Sequence, residues 1–266
     1  MLKIIVGILI TYCIVSLVFY LCQDKFIFQA GPLSMEHRFS FIAEKDTTPP
    51  PHFDEYFLTT PDSAQLNVLH FKTPCACKGI VVYFHGNADN LQRWGHFAKD
   101  FTRLGYDVLM MDYRSYGKST GTPTETALYQ DANQLWQWAK DTFDYPRWVI
   151  YGRSLGSTVA THLAQTAQPD ILGLETPFES INYTWGTAAL PFKSKYQLSN
   201  KNHLAHISCP KFIFHGTSDW VVPLNSALKL KPFLSERDAF IIIPEGGHKN
   251  LNTFSLYHQK LGELLE

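Results

Sequence analysis

The chain has 266 residues, 23 Lys and Arg against 24 Asp and Glu, and a formal net charge of −1 at pH 7. That length suits one large α/β domain with a substantial buried core, and the near-neutral balance offers no electrostatic footprint for nucleic acid. Its 11 histidines are scattered, with no His-x-Glu-x-x-His or Cys-x-x-Cys pattern, so no metal site is expected.

The first element is apolar throughout. Ile4 to Cys22 (IIVGILITYCIVSLVFYLC) carries no charge, and a helix of that length spans about 28 Å, close to the hydrocarbon thickness of a bilayer. A cleaved signal peptide is the rival reading. It needs small residues before the cut, and Phe19-Tyr20-Leu21 and Phe28-Gln29-Ala30 fit that poorly. Residues 1–22 are therefore expected to be an uncleaved, single-pass membrane anchor. Lys3 precedes the span and Asp24 and Lys25 follow it, so the positive-inside bias favours a cytoplasmic amino terminus and an extracytoplasmic domain. Cys13 and Cys22 fall in the span, Cys75 and Cys77 could close only a very small strained ring, and Cys209 precedes a strand, so the five cysteines make no disulfide framework.

Residues 23–52 read as a linker and N-terminal arm ending in Thr47-Thr48-Pro49-Pro50-Pro51. The domain proper is expected over 53–266. Phe53 to Lys72 reads as a hairpin turned at Pro61-Asp62-Ser63. Short apolar runs at Gly79–Tyr83, Tyr106–Asp112, Arg147–Tyr151, Ile171–Leu174, Lys211–His215 and Ala239–Pro244 suit buried parallel strands. Helices are expected at Asn90–Leu104, Thr124–Phe143, Leu155–Ala167, Leu224–Leu234 and Asn252–Leu265. This alternation predicts a mostly parallel central sheet with helices on both faces. Residues 175–209, about 35 in all, interrupt the rhythm as a short lid insertion.

Gly152-Arg153-Ser154-Leu155-Gly156 sits where a strand gives way to a helix, the context a nucleophile elbow demands. The glycines remove side chains where strand and helix crowd, and the helix N-terminus favours developing negative charge. A serine hydroxyl needs a base, and the base needs an orienting acid. His248 follows the last strand and Asp219 the strand before it, both at the carboxyl ends where open α/β sheets place their sites. The expected catalytic residues are thus Ser154, Asp219 and His248. The oxyanion donors are expected to be the backbone N–H groups of Leu155 and Asn87, with Ala88 as the near alternative.

The segments HGNADN (85–90), DYRSYGKSTGTPTE (112–125), GRSLGS (152–157), ETPFES (175–180), HGTSDWVVP (215–223) and GGHKN (246–250) together resemble the α/β-hydrolase superfamily, and within it the Bem46-like, serine aminopeptidase-type branch. The likeness covers about residues 53–264, and QDKFIFQA (23–30) after an anchor is also similar to members of that branch. It departs at Ser115, where relatives commonly carry glycine. The resemblance implies the α/β-hydrolase fold and a carboxylic ester or thioester hydrolase.

Phe178, Tyr183, Trp185 and Trp220 are candidate substrate-binding residues, with Phe192 and Tyr196 beside them; lid core is the competing reading. Asp112 with Arg114 is expected as a structural ion pair, Arg153 as a neighbour of that network, Asp89 and Asn90 as helix caps, and Asp131 as a surface residue or a second layer around the site. The expected function is a membrane-anchored serine hydrolase acting on a small-molecule or lipid ester, without a cofactor. A peptidase or amidase on short peptides and a non-catalytic scaffold are the alternatives.

Overall fold

The computed structural model describes residues 2–42, 50–181 and 194–266. Helix α1, Leu2–Ile27, has 26 residues. It is exposed along most of its length, with Ile4, Ile8, Leu9, Val15 and Leu21 all uncovered. It runs past the expected end at Cys22, because Gln23 to Ile27 contains no glycine or proline to stop it. The residues that follow, to Leu33, bond to the domain rather than forming a free linker.

Eight strands form one sheet in the order β1-β2-β4-β3-β5-β6-β7-β8. The antiparallel hairpin is β1, Phe53–Thr59, with β2, Gln65–Phe71. The rest are β3, Gly79–Phe84; β4, Tyr106–Met111; β5, Trp148–Arg153; β6, Ile171–Glu175; β7, Lys211–Gly216; and β8, Ala239–Ile243. β2 joins β4 antiparallel, and every pairing from β4 to β8 is parallel.

Alternation along these strands builds two cores. Ile80, Val82, Phe84, Ile150 and Ile213 face helices α4 (Glu125–Thr142) and α5 (Leu155–Ala167), through Leu128, Leu135, Val159 and Leu163. Val81, Tyr83, Val149, Tyr151, Phe212 and Phe214 face the other layer, through Leu91, Phe101, Tyr257 and Leu261. Each fully buried Val, Leu, Ile or Phe adds about 1.5–3 kcal/mol of transfer free energy. Thr124 caps α4, its hydroxyl accepting from the Ala127 N–H at 3.0 Å.

Three expected helices are interrupted. The stretch from Asn90 splits into α2 (Leu91–Trp94), a 3₁₀ turn at Gly95–Ala98 and α3 (Lys99–Thr102). Glycine is a poor helix former, and the Phe41 ring occupies the space beside Gly95. The helix from Leu224 ends at Leu228, with a 3₁₀ turn at Lys231–Phe233, because Pro232 lacks an N–H and its ring opposes the preceding turn. The closing helix is Ser255–Leu265, preceded by a 3₁₀ turn at Leu251–Thr253. Within the insertion, the described residues include a short helix, Lys201–Leu204, and a bridge between Ser180 and Ser199. Tyr183, Trp185 and Phe192 lie outside the described residues.

Candidate active site

Ser154 joins β5 to α5 with φ 52° and ψ −116°, a strained conformation for a residue bearing a Cβ. The flanking glycines permit it. A Cβ on Gly156 would lie 2.1 Å from the Phe84 carbonyl oxygen, and one on Gly152 would lie 2.4 Å from the Gly156 oxygen. Strand β5 and helix α5 therefore close tightly and present the serine at the carboxyl edge of the sheet. β5 and β4 flank β3 on opposite sides, so the serine sits where chain order reverses across the sheet.

His248 follows β8 and Asp219 follows β7. Their loops are laced together: the Ser218 N–H donates to the Gly246 oxygen at 2.8 Å, and the Glu245 N–H to the Thr217 hydroxyl at 2.9 Å. A Cβ at Gly216 would meet the Gly246 oxygen at 2.0 Å, so glycine is what lets the loops touch. The result is a hydrogen-bonded series. His248 Nδ1 lies 2.8 Å from Asp219 Oδ2, and His248 Nε2 lies 3.0 Å from Ser154 Oγ. An ionised carboxylate only accepts, so Nδ1 carries the proton and Nε2 offers its lone pair to the serine hydroxyl.

Asp219 is held by its other oxygen, which accepts from the Val221 N–H at 2.9 Å and the Val222 N–H at 2.8 Å. His215, which sequence reasoning did not single out, is a further neighbour. Its Nε2 donates to the Val222 carbonyl at 2.9 Å and stands 3.5 Å from Asp219 Oδ2. Burial pulls the His215 pKa below its usual value, so it packs beside the acid as a neutral ring.

A cavity of about 380 Å³ opens on the serine. Ser154 and His248 line it with Gly86, Asn87, Ala88, Trp94 and Val221, and Gln29, Arg93 and Lys249 complete its walls with Arg153. Leu155 is the first residue of α5, so its N–H has no helical carbonyl to bond. Two of the named pocket aromatics stand elsewhere. Phe178 is 3% exposed within the α4/α5 core, and Trp220 is 93% exposed, beside a separate hollow lined by Thr217, Pro223 and Asn225. The adjacent Val221 turns into the serine cavity instead.

The surrounding charges pair differently from expectation. Arg114 bonds Asp131 at 2.8 Å and Asp62 at 2.9 Å, not Asp112. Asp131 is accordingly buried rather than at the surface. Asp112 accepts from the Leu91 N–H at 3.0 Å and lies 3.4 Å from His85 Nε2, with burial raising its pKa. Arg153 belongs to a third group. It lies 3.4 Å from Glu175, sits over the Phe97 ring, and donates to the His248 carbonyl at 2.9 Å. Asn90 caps α2, as its side-chain oxygen accepts from the Gln92 N–H at 2.9 Å. All five cysteines are free thiols.

A family model described as "Serine aminopeptidase, S33" matches residues 76–176. Among curated proteins, the "Lysophosphatidylserine lipase ABHD12" of Danio rerio is 31% identical over 196 residues, covering 64% of this chain and 50% of that protein. "Protein ABHD12B" of Homo sapiens is 29% identical, covering 76% of this chain and 69% of its own length. The chain thus spans about half the length of the first curated relatives it matches. Among solved structures, the Pyrococcus furiosus esterase Pf2001 aligns with a TM-score of 0.69 at 18% identity, over 89% of this chain and 96% of that one. The likeness to the esterase is one of fold. Strand order, the turn at Ser154 and the sequence matches agree, and the chain belongs to the α/β-hydrolase superfamily.

Proposed function

We propose that the chain is a membrane-anchored serine hydrolase that cleaves carboxylic esters, thioesters included, through an acyl-enzyme. The observation that carries this reading is the unbroken series Ser154 Oγ–His248 Nε2 at 3.0 Å and His248 Nδ1–Asp219 Oδ2 at 2.8 Å, opening on a cavity. His248 takes the serine proton as Oγ attacks the carbonyl carbon, and Asp219 stabilises the imidazolium. The backbone N–H groups of Leu155 and Asn87 receive the oxyanion. The histidine then protonates the leaving alcohol or thiol. Water, deprotonated by the same ring, releases the acid and restores the serine.

A lipid ester is the favoured substrate. Trp94 and Val221 give the cavity apolar wall, Arg93 and Lys249 give it cationic wall, and helix α1 is long and apolar enough to cross a bilayer. The Danio rerio relative carries a lipase name. Lys3 before the span and the domain after it support an extracytoplasmic site. The test is a series of p-nitrophenyl esters and lysophospholipids offered to the full chain in detergent, with Ser154→Ala alongside. Ester turnover that disappears in the variant supports the reading; turnover of amides alone, or turnover that persists in the variant, overturns it. Retention in the membrane pellet after alkaline carbonate washing tests the anchor, and release into the supernatant contradicts it.

A further inference from the structure

The chain leaving α1 does not hang free. Phe28 is buried and meets the Tyr196 ring edge-on at 5.2 Å. Gln29 to Leu33 then run as a short strap along two turns of the domain. Ala30 forms a parallel bridge with Asp89, and Pro32 forms one with Gly117. The Asp89 N–H donates to the Gln29 oxygen at 3.1 Å, and the Gly31 N–H donates to the Asp89 oxygen at 3.1 Å. Asn90 Nδ2 donates to the Gly31 oxygen at 2.8 Å, and the Leu33 N–H to the Gly117 oxygen at 2.7 Å.

The strap grips the loop that carries the proposed oxyanion donor. The Gln29 N–H donates to Asn87 Oδ1 at 3.1 Å, and the Tyr116 hydroxyl donates to the same oxygen at 3.0 Å. Asp89 stands at φ 76°, a left-handed conformation that aspartate tolerates better than most residues bearing a Cβ. Both its backbone N–H and its carbonyl are bonded to the strap. Gln29, Asn87 and Ala88 line one cavity with Ser154. No slack separates strap from helix, since the Phe28 N–H still donates to the Asp24 oxygen at 2.8 Å. The end of α1 is pinned as well: Gln23 Oε1 accepts from the Lys195 N–H, and the Tyr196 hydroxyl donates to Asp24, at 2.8 and 2.7 Å.

We infer that Gln29 and the strap behind it are positioning residues for the oxyanion loop, so that the membrane helix is a mechanical part of the active site rather than a tether. The bond from the Gln29 N–H to Asn87 Oδ1 sets where the Asn87 N–H stands relative to Ser154. This rests on the hydrolase reading above. It gives the site a sensitivity that a tethered domain lacks, because a shift of α1 in the bilayer is carried directly to the oxyanion loop.

The test uses the full chain in lipid nanodiscs with a short p-nitrophenyl ester, fluorophosphonate titration of active sites, and three variants. Gln29→Pro removes the N–H donor, Asn87→Ala removes the acceptor, and the third combines them. Each single change is expected to lower kcat per titrated site by about tenfold or more, against ~10²–10³ for deleting an oxyanion donor outright. KM should stay within about threefold. The double variant should be no worse than Asn87→Ala alone, because both changes remove the Gln29–Asn87 bond and Asn87→Ala also removes the one from Tyr116. A structural lesion would instead lower the number of titratable sites. Wild-type kcat in both singles, or losses that multiply in the double, overturn the inference.

Hydrogen exchange is the second measurement, should Gln29→Pro fail to fold. In Asn87→Ala the Gln29 amide and the 87–89 amides should exchange faster, and unchanged protection overturns the inference. Wild-type protein that neither labels nor turns over ester refutes the hydrolase reading itself. Active wild type with undisturbed variants refutes the strap alone.

Discussion

The buried guanidinium of Arg153 donates from Nη2 to the backbone carbonyl of His248 at 2.9 Å, while its Nε lies 3.4 Å from the Glu175 carboxylate. Burial opposes its charge, but Glu175 and the neighbouring tyrosines outweigh that and raise its pKa. Arg153 thus ties the turn before Ser154 to the loop that delivers His248. Arg153→Met leaves Glu175 buried without its cation, and breaking such a pair costs about 3–5 kcal/mol. Thermal unfolding in detergent should show a large drop in midpoint, and adding Glu175→Gln should restore part of it. An unchanged midpoint in the single variant contradicts the pairing.

Asp219→Asn should lower kcat on the order of 10⁴-fold with little change in KM. The amide would present N–H where the carboxylate accepted, favouring the His248 tautomer that has its proton on Nε2 and no lone pair for Ser154. Steady-state kinetics on a short ester measures this. A loss under tenfold would mean that Asp219 is not the orienting acid.

Neighbours Trp220 and Val221 should separate cleanly. Trp220 is 93% exposed and away from the serine cavity, so Trp220→Ala should hold kcat/KM for a short ester within about twofold, the usual range of a surface change. Val221 lines the cavity, so Val221→Trp should reduce kcat/KM, and more steeply as the acyl chain lengthens. Equal responses of the two variants contradict this division.

Acid should loosen the contact between the insertion and α4 and α5. His203 and His162 face each other with ring centroids 5.0 Å apart, and His162 stacks on Tyr129 at 3.9 Å, with Glu125 and His206 nearby. Burial, then His162 and His206, lowers the His203 pKa to about 4; burial also lowers His162. The unfolded chain takes up these protons near the usual 6.5 while the folded chain does not. Stability from these groups is therefore complete above about pH 6.5 and is lost as pH falls towards the folded value. Urea midpoints at descending pH should decline across that window, and His203→Gln should flatten the decline.

Strands and the serine elbow were readable because a parallel strand buried on both faces leaves an uninterrupted apolar run, and because the chemistry of such sheets gathers at strand ends. Asp219 and His248 were expected from their places after the last two strands, and the structure sets them in hydrogen-bonded series with Ser154. What escaped was set by partners distant in sequence. Arg114 chose Asp62 and Asp131 over the nearby Asp112, since the hairpin turn and α4 bring those carboxylates to it. Trp220 and Val221 are adjacent, and only the loop held by Asp219 decides which enters the cavity. The strap at Gln29–Leu33 has no repeating pattern to announce it; its bonds are made by backbone to loops at 87–90 and 117.

Whether Ser154 is an activated nucleophile is the most direct test of the proposed chemistry. Full-length protein in detergent, treated with a fluorophosphonate and digested for mass spectrometry, should carry one adduct per chain on Ser154. Ser154→Ala should carry none, and Asp219→Asn should acquire it far more slowly. A folded wild type without an adduct, or with one on another residue, would contradict the account.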